Sequence, residues 1–162
     1  MSSPHTHSAE EGMNPYPRFF AMIAVSTIVM FGLMYLNTYE IDHIFFSETR
    51  AYMALFMGAV MAVIMLGFMR HMLKNGAVNA GILVGSALVF AVALWLVRSQ
   101  ATVDDVSYMK AMIPHHSIAI MTSKRAGIKD PRVRKLADGI IEAQVREIGE
   151  MKEFISQLQN KR

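Results

Sequence analysis

The chain has 162 residues, more than half of them apolar, with no cysteine, fifteen methionines and a formal net charge of +3. The lack of cysteine excludes disulfides and thiolate metal sites. Twelve of the sixteen basic residues lie between Arg98 and Arg162, interleaved with acids; this is the pattern of solvated helix faces, so no nucleic-acid partner is expected.

Residues 1–18 form a polar tail. It contains Glu10 and Glu11, and no small-residue cleavage site follows the apolar block after it, so that block is expected to be retained. His5 and His7 could bind metal, but an unfolded tail accounts for them as well.

Three apolar blocks follow, at about 19–36, 51–69 and 80–97. None contains Asp, Glu, Lys, Arg or His. Each is roughly 18–20 residues long, which matches a hydrocarbon core of about 30 Å at about 1.5 Å per residue. Buried helices of that length in soluble proteins keep a polar face, and these have none. Residues 19–98 are therefore read as a three-helix membrane domain, with the lipid bilayer as its first partner. Tyr35, Tyr39, Tyr52 and Trp95 are placed to anchor at the headgroups. Gly81 and Gly85 form a G-x-x-x-G pair that admits close helix approach, a pattern that also arises by chance.

Charge does not settle the orientation. Arg18, Arg70 and Lys74 stand at one end of the spans, and Arg50, Arg98 and Lys110 at the other, which is a tie under the positive-inside rule. In the second block Met53, Met57, Met61, Met65 and Met69 recur at every fourth position, with His71 and Met72 just beyond. Methionine is an ordinary packing residue in lipid. The sharper reading is a ladder of soft Cu(I) sites, similar in style to the methionine-lined pore of three-helix copper transporters. The spans hold no ionisable group that would couple transport to protons or sodium.

Beyond Arg98 the pattern becomes amphipathic, and residues 103–160 read as a soluble helical hairpin. Val106, Met109, Ile113, His116 and Ile120 recur at helical spacing up to Ala126. Gly127 suits a helix end, and Asp130-Pro131 a restart with Asp as N-cap. The second helix places Val133, Leu136, Ile140, Ile148, Met151, Phe154 and Ile155 on one face as far as about Leu158. One hairpin of this size buries little core. Pairing two into a four-helix bundle is the expected remedy, so a homo-oligomer is predicted.

Polar residues interrupt the apolar stripes. Gln144 and Glu147 fall inside that of the second helix and His116 inside that of the first, with His115 and Met112 at its shoulder. Folding about the turn sets His115 and His116 opposite Ile141–Gln144, and Met109 and Met112 toward Val145–Ile148. Left unpaired, such groups cost roughly 1–3 kcal/mol each, so they satisfy one another or a ligand. One reading is a hydrogen-bond network that fixes helix register. The other is a metal site. Met109, Met112 and Met121 beside the histidines favour Cu(I), while His115, His116 and Glu147 could also serve zinc. Pro114 is expected to kink the helix or restart it just before His115.

The run Met112-Ile113-Pro114-His115-His116 with Ala119, Ile120 and Met121 resembles the signature of the domain of unknown function 305 family. So do Asp130-Pro131, Ala137, Ile140-Ile141, Gln144, Glu147-Ile148 and Met151. The resemblance covers residues 104–158. It implies a ferritin-like helical bundle, usually exported or membrane-attached in bacteria, with some members binding copper and linked to copper tolerance. On that resemblance His115, His116 and the neighbouring methionines are the metal-binding positions, and the domain faces the periplasm from a multi-pass protein of the bacterial inner membrane. The soluble segment has no Glu-x-x-His motif of the kind di-iron sites use, and no nucleophile–base pair or phosphate-cradling loop appears. No enzyme activity is expected.

The expectation is thus an all-α protein, three membrane helices and a hairpin, that sequesters copper or passes it to a periplasmic copper-handling partner. Its metal residues would be His115, His116, Met109, Met112 and Met121, with Glu147 and Gln144 as weaker ligands or supports. A non-metal oligomerisation or docking module is the alternative, and a Cu(I) channel along the methionine ladder ranks after both.

Overall fold

The computed structural model describes residues 14–160; the expectations for the histidines and acids of the tail lie outside them. Five α-helices account for most of the described chain: α1 Pro15–Leu33, α2 Glu48–Phe68, α3 Gly76–Ser99, α4 Asp105–Arg125 and α5 Pro131–Gln159. The first three are long and apolar enough to cross a membrane. Much of their apolar surface faces outward, including Ile28, Phe68 and Val84, as lipid-facing helices require.

Caps account for the difference between apolar blocks and observed helices. Helix α1 begins four residues before Phe19, because Asn14 accepts the Tyr16 N–H and prolines suit a first turn whose N–H groups have no helical acceptor. Ser47 opens α2 by accepting from Arg50 N, and Asn75 opens α3 by accepting from Ala77 N and Val78 N. Hydropathy alone does not register these polar first turns.

Helix α2 is the centre of the three apolar helices. Both α1 and α3 pack along it while their backbones stay apart from one another. The buried line Ala54, Gly58, Ala62, Leu66 faces these neighbours, leaving the methionine ladder beside it half-buried. At Gly58 a Cβ would run into Thr27 Oγ1, so α1 and α2 approach as closely as they do because glycine stands there. Gly81 and Gly85 meet no such neighbour: space beside both is open. They line an apolar groove with Gly58, Ala62 and Thr27. Where α1 and α3 begin, the Tyr16 hydroxyl bonds Asn79 Oδ1 at 2.9 Å and accepts from Asn75 N at 2.9 Å. The helices therefore run up, down and up, with residues 34–47 and 100–104 at the same end.

Helices α4 and α5 form the expected antiparallel hairpin. Asp104 caps α4 through Ser107 N, and Asp130 caps α5 through Arg132 N. Helix α4 runs through Pro114 without a break. Its end does not use a left-handed glycine: Ala126 is extended, and no described glycine has positive φ. The hairpin core holds Met109, Ile113, Ile120, Ile148 and Ile155, with Ile141, Met151 and Leu158 against it. Val133, Leu136 and Phe154, expected on that inner face, are about half exposed or more. The apolar surface of α5 is broader than a single partner helix can cover.

The hairpin is clasped by the loop between α1 and α2. Tyr39 and Phe45 pack on its core. The Tyr39 N–H donates to Ser117 Oγ at 2.8 Å, and the same oxygen lies 3.0 Å from His43 Nδ1. Ser117 is fully buried and His43 nearly so. Lys152 on α5 donates to Asp42 Oδ2 at 2.6 Å, and Lys124 stacks over the Tyr39 ring at 4.7 Å. Tyr39, expected as a headgroup anchor, instead joins loop to hairpin.

Candidate metal centre

Of the residues singled out in the hairpin, the structure brings His116 and Glu147 directly together, with His116 Nε2 3.3 Å from Glu147 Oε2. Simple folding about the turn puts His116 opposite Ile141–Gln144; the contact lies about one turn further along α5. Side chains lean toward the N-terminus of their own helix. In an antiparallel pair His116 leans away from the turn and Glu147 toward it, so their tips meet across a difference in backbone level.

Burial pulls the His116 imidazole below its ordinary pKa; the Glu147 carboxylate opposes this, and His115 adds to the lowering. The ring is therefore neutral at pH 7. With a carboxylate facing Nε2, the single ring proton belongs on that nitrogen. Nδ1 then carries a lone pair, and it is buried without a hydrogen-bond partner. Gln144 lies one turn before Glu147 on α5, and its Oε1 is likewise buried and unpartnered. Buried polar atoms without partners are uncommon, because each carries an uncompensated desolvation cost.

His115 is exposed, its ring centroid 6.1 Å from that of His116. Met112 stands three residues before His115 and four before His116, a spacing that puts it on the edge between them, and it is half-buried. Met109 is not on this edge. It sits in the hairpin core with Ile113 and Ile148, seven residues and about 10 Å along the axis from His116. Met121 lies five residues beyond His116, well around the helix. By helical spacing His116, His115 and Met112 share this stretch of α4, with Glu147 facing His116 and Gln144 one turn before Glu147 on α5.

A histidine whose outer N–H faces a carboxylate and whose other nitrogen is free is the arrangement found behind metal-bound imidazoles. The donors suit a soft ion: neutral imidazole and thioether, no thiolate, and a carboxylate held one atom back. Tyr39 and His43 of the loop and Ser117 of α4 are not marked as a group by any sequence pattern. Ser117 alone leaves a signal, since a small hydroxyl falls between Ile113 and Ile120 on the buried stripe.

Residues 100–162 match the family described as "Domain of unknown function (DUF305)". Over 150 residues the chain is 34% identical to an uncharacterized protein, L153, of Acanthamoeba polyphaga mimivirus, a match that spans 87% of this chain and 97% of the viral one. A match of that extent runs across both the apolar helices and the hairpin. No solved structure matches the chain.

Proposed function

Because the chain belongs to the family of this viral protein and carries the DUF305 domain, we propose that it is a membrane-anchored copper-binding protein whose hairpin holds Cu(I) for sequestration or transfer. The observation that carries the reading is the buried, unpartnered Nδ1 of a neutral His116 with Glu147 facing its other nitrogen. In this reading His116 Nδ1, His115 and Met112 are the donors, and Glu147 orients the ring. Met109 and Met121 provide the apolar surroundings. Zinc ranks below Cu(I), because Glu147 faces the ring nitrogen and not the open position.

A second copy of the chain is part of the proposal. Exposed Val133, Leu136 and Phe154 on α5, together with the unpartnered Gln144 oxygen, are what a second hairpin would cover in a ferritin-like four-helix bundle. The hairpin is placed on the extracytoplasmic side, the periplasm in a bacterial inner membrane, where it would meet a copper-handling partner. That orientation puts the short loop with Arg70, His71 and Lys74 on the cytoplasmic side.

The test is a Cu(I) titration of the full chain in detergent against a chromophoric chelator, beside His115→Ala/His116→Ala. Tight binding in the native chain and its loss in a folded variant support the reading. Equal behaviour of the two chains would instead favour the docking-module alternative, with His116–Glu147 as a register-fixing contact.

A further inference from the structure

A different cluster lies on the loop between α1 and α2. The loop makes one 3₁₀ turn, Ile41–His43, preceded by Glu40. This turn gathers Glu40, Asp42 and His43, with one ligand-type atom from each lying within 4.8 Å of the others. His43 Nε2 is 3.6 Å from Glu40 Oε2 and 3.7 Å from Asp42 Oδ1. The carboxylates are exposed, whereas the His43 side chain is 8% exposed.

These separations are too long for hydrogen bonds, which close to roughly 2.7–3.2 Å. They are near the spacing of ligands around one ion: arms of about 2.0–2.1 Å in a tetrahedral site put ligand atoms about 3.3–3.4 Å apart. The ring is also oriented from behind. Ser117 Oγ, held by the Tyr39 N–H, sits 3.0 Å from Nδ1. In the metal-free chain the ring proton belongs on Nε2, facing the two carboxylates, with Ser117 donating to Nδ1; a cation takes its place at Nε2, the ring proton moves to Nδ1, and Ser117 Oγ accepts from it. Lys152 occupies Asp42 Oδ2 and leaves Oδ1 toward His43. It offsets one of the two negative charges.

We propose that Glu40, Asp42 and His43 form a second metal site, separate from the hairpin centre, for a borderline divalent cation of the Zn(II) class. Imidazole with two carboxylates is a harder donor set than His115, His116 and Met112, so the two sites select different ions. The sites are coupled through the chain, because Ser117 behind His43 is the residue next to His116 on α4. Successive residues of a helix point about 100° apart, so α4 serves one site on each of two faces. A cation here would tie the membrane loop to the hairpin through a ring that Ser117 already holds.

The experiment uses the full chain in detergent with His115→Ala/His116→Ala as background, which removes the hairpin histidines and keeps the outcome independent of copper binding. Zn(II) is titrated against a chromophoric chelator. One equivalent is expected to bind, with affinity falling at least tenfold in Glu40→Gln and in His43→Gln. If His43→Gln fails to fold, the exposed Glu40→Gln decides alone. Absence of saturable Zn(II) binding in the background chain, or affinity unchanged by Glu40→Gln, overturns the proposal.

Discussion

Replacing Ser117 by alanine tests the clasp between loop and hairpin most directly. The substitution removes one hydroxyl from a fully buried position and replaces none of the proposed metal donors, although it takes away the partner of His43. Two interactions go with it: the Tyr39 N–H loses its acceptor at 2.8 Å, and His43 Nδ1 loses its partner at 3.0 Å. A hydrogen bond contributes roughly 0.5–1.5 kcal/mol net, and a buried group left without a partner costs about 1–3 kcal/mol. For two groups, one buried and one partly so, the expected loss is about 2–4 kcal/mol. At about 1.4 kcal/mol per tenfold change, local opening of residues 34–47 becomes more frequent by roughly one and a half to three powers of ten. Hydrogen exchange of peptides covering Tyr39–Phe46, measured by mass spectrometry in detergent, reads this directly. Ser123→Ala, on the same helix at a half-buried position, serves as control and should leave the loop within about 0.5 kcal/mol of native. Exchange of the loop unchanged by Ser117→Ala would refute the clasp.

Gly58→Ala should destabilise the membrane domain by about 1–3 kcal/mol through overpacking against Thr27, and Thr27→Ala should restore most of the loss in thermal unfolding in detergent. His116 has its pKa lowered by folding, so the unfolded chain takes up the proton first as pH falls. The stability it contributes is fully present above the ordinary value of about 6.5 and is lost as pH drops through the lower folded value. The melting temperature should therefore fall between pH 7.5 and 5.5, with a shallower slope in His116→Asn, and Cu(I) affinity should fall over the same window. Met112→Leu should weaken Cu(I) binding by tenfold or more at unchanged stability, while Met109→Leu should leave affinity near native. Cellular copper content and tolerance unchanged by Met57→Leu/Met61→Leu/Met65→Leu would leave the ladder a packing feature; a change in either would favour the channel reading.

The three spans are legible in the sequence because a helix of bilayer length with no polar face has nowhere in water to put its outer surface. Their ends are less so: Asn14, Ser47 and Asn75 extend the helices through polar residues that a hydropathy window discounts. The hairpin is legible from its stripes and from Asp130-Pro131, and His116 and Glu147 stand out as polar interruptions of those stripes. Their pairing is displaced by a turn from the level that spacing predicts, since residue spacing fixes backbone levels while the tips of long side chains meet elsewhere. Met109 packs in the hairpin core, which spacing alone does not reveal: a core position and a ligand position share one helical period, and the contacts of α5 place it. The loop cluster is out of reach of local pattern, because the partner of His43 lies 74 residues further along the chain.

The boundary near residue 100 separates two sequence patterns, but the folding unit crosses it. Tyr39 and Phe45, which precede that boundary by more than fifty residues, pack on the hairpin's hydrophobic core, and the buried serine of α4 is satisfied by the loop's backbone. A fragment cut at the homology boundary would leave Ser117 and one side of the core facing water. Its metal affinity would be that of a loosened α4, so the intact chain in a membrane mimic is the smallest unit whose binding constants describe the native protein.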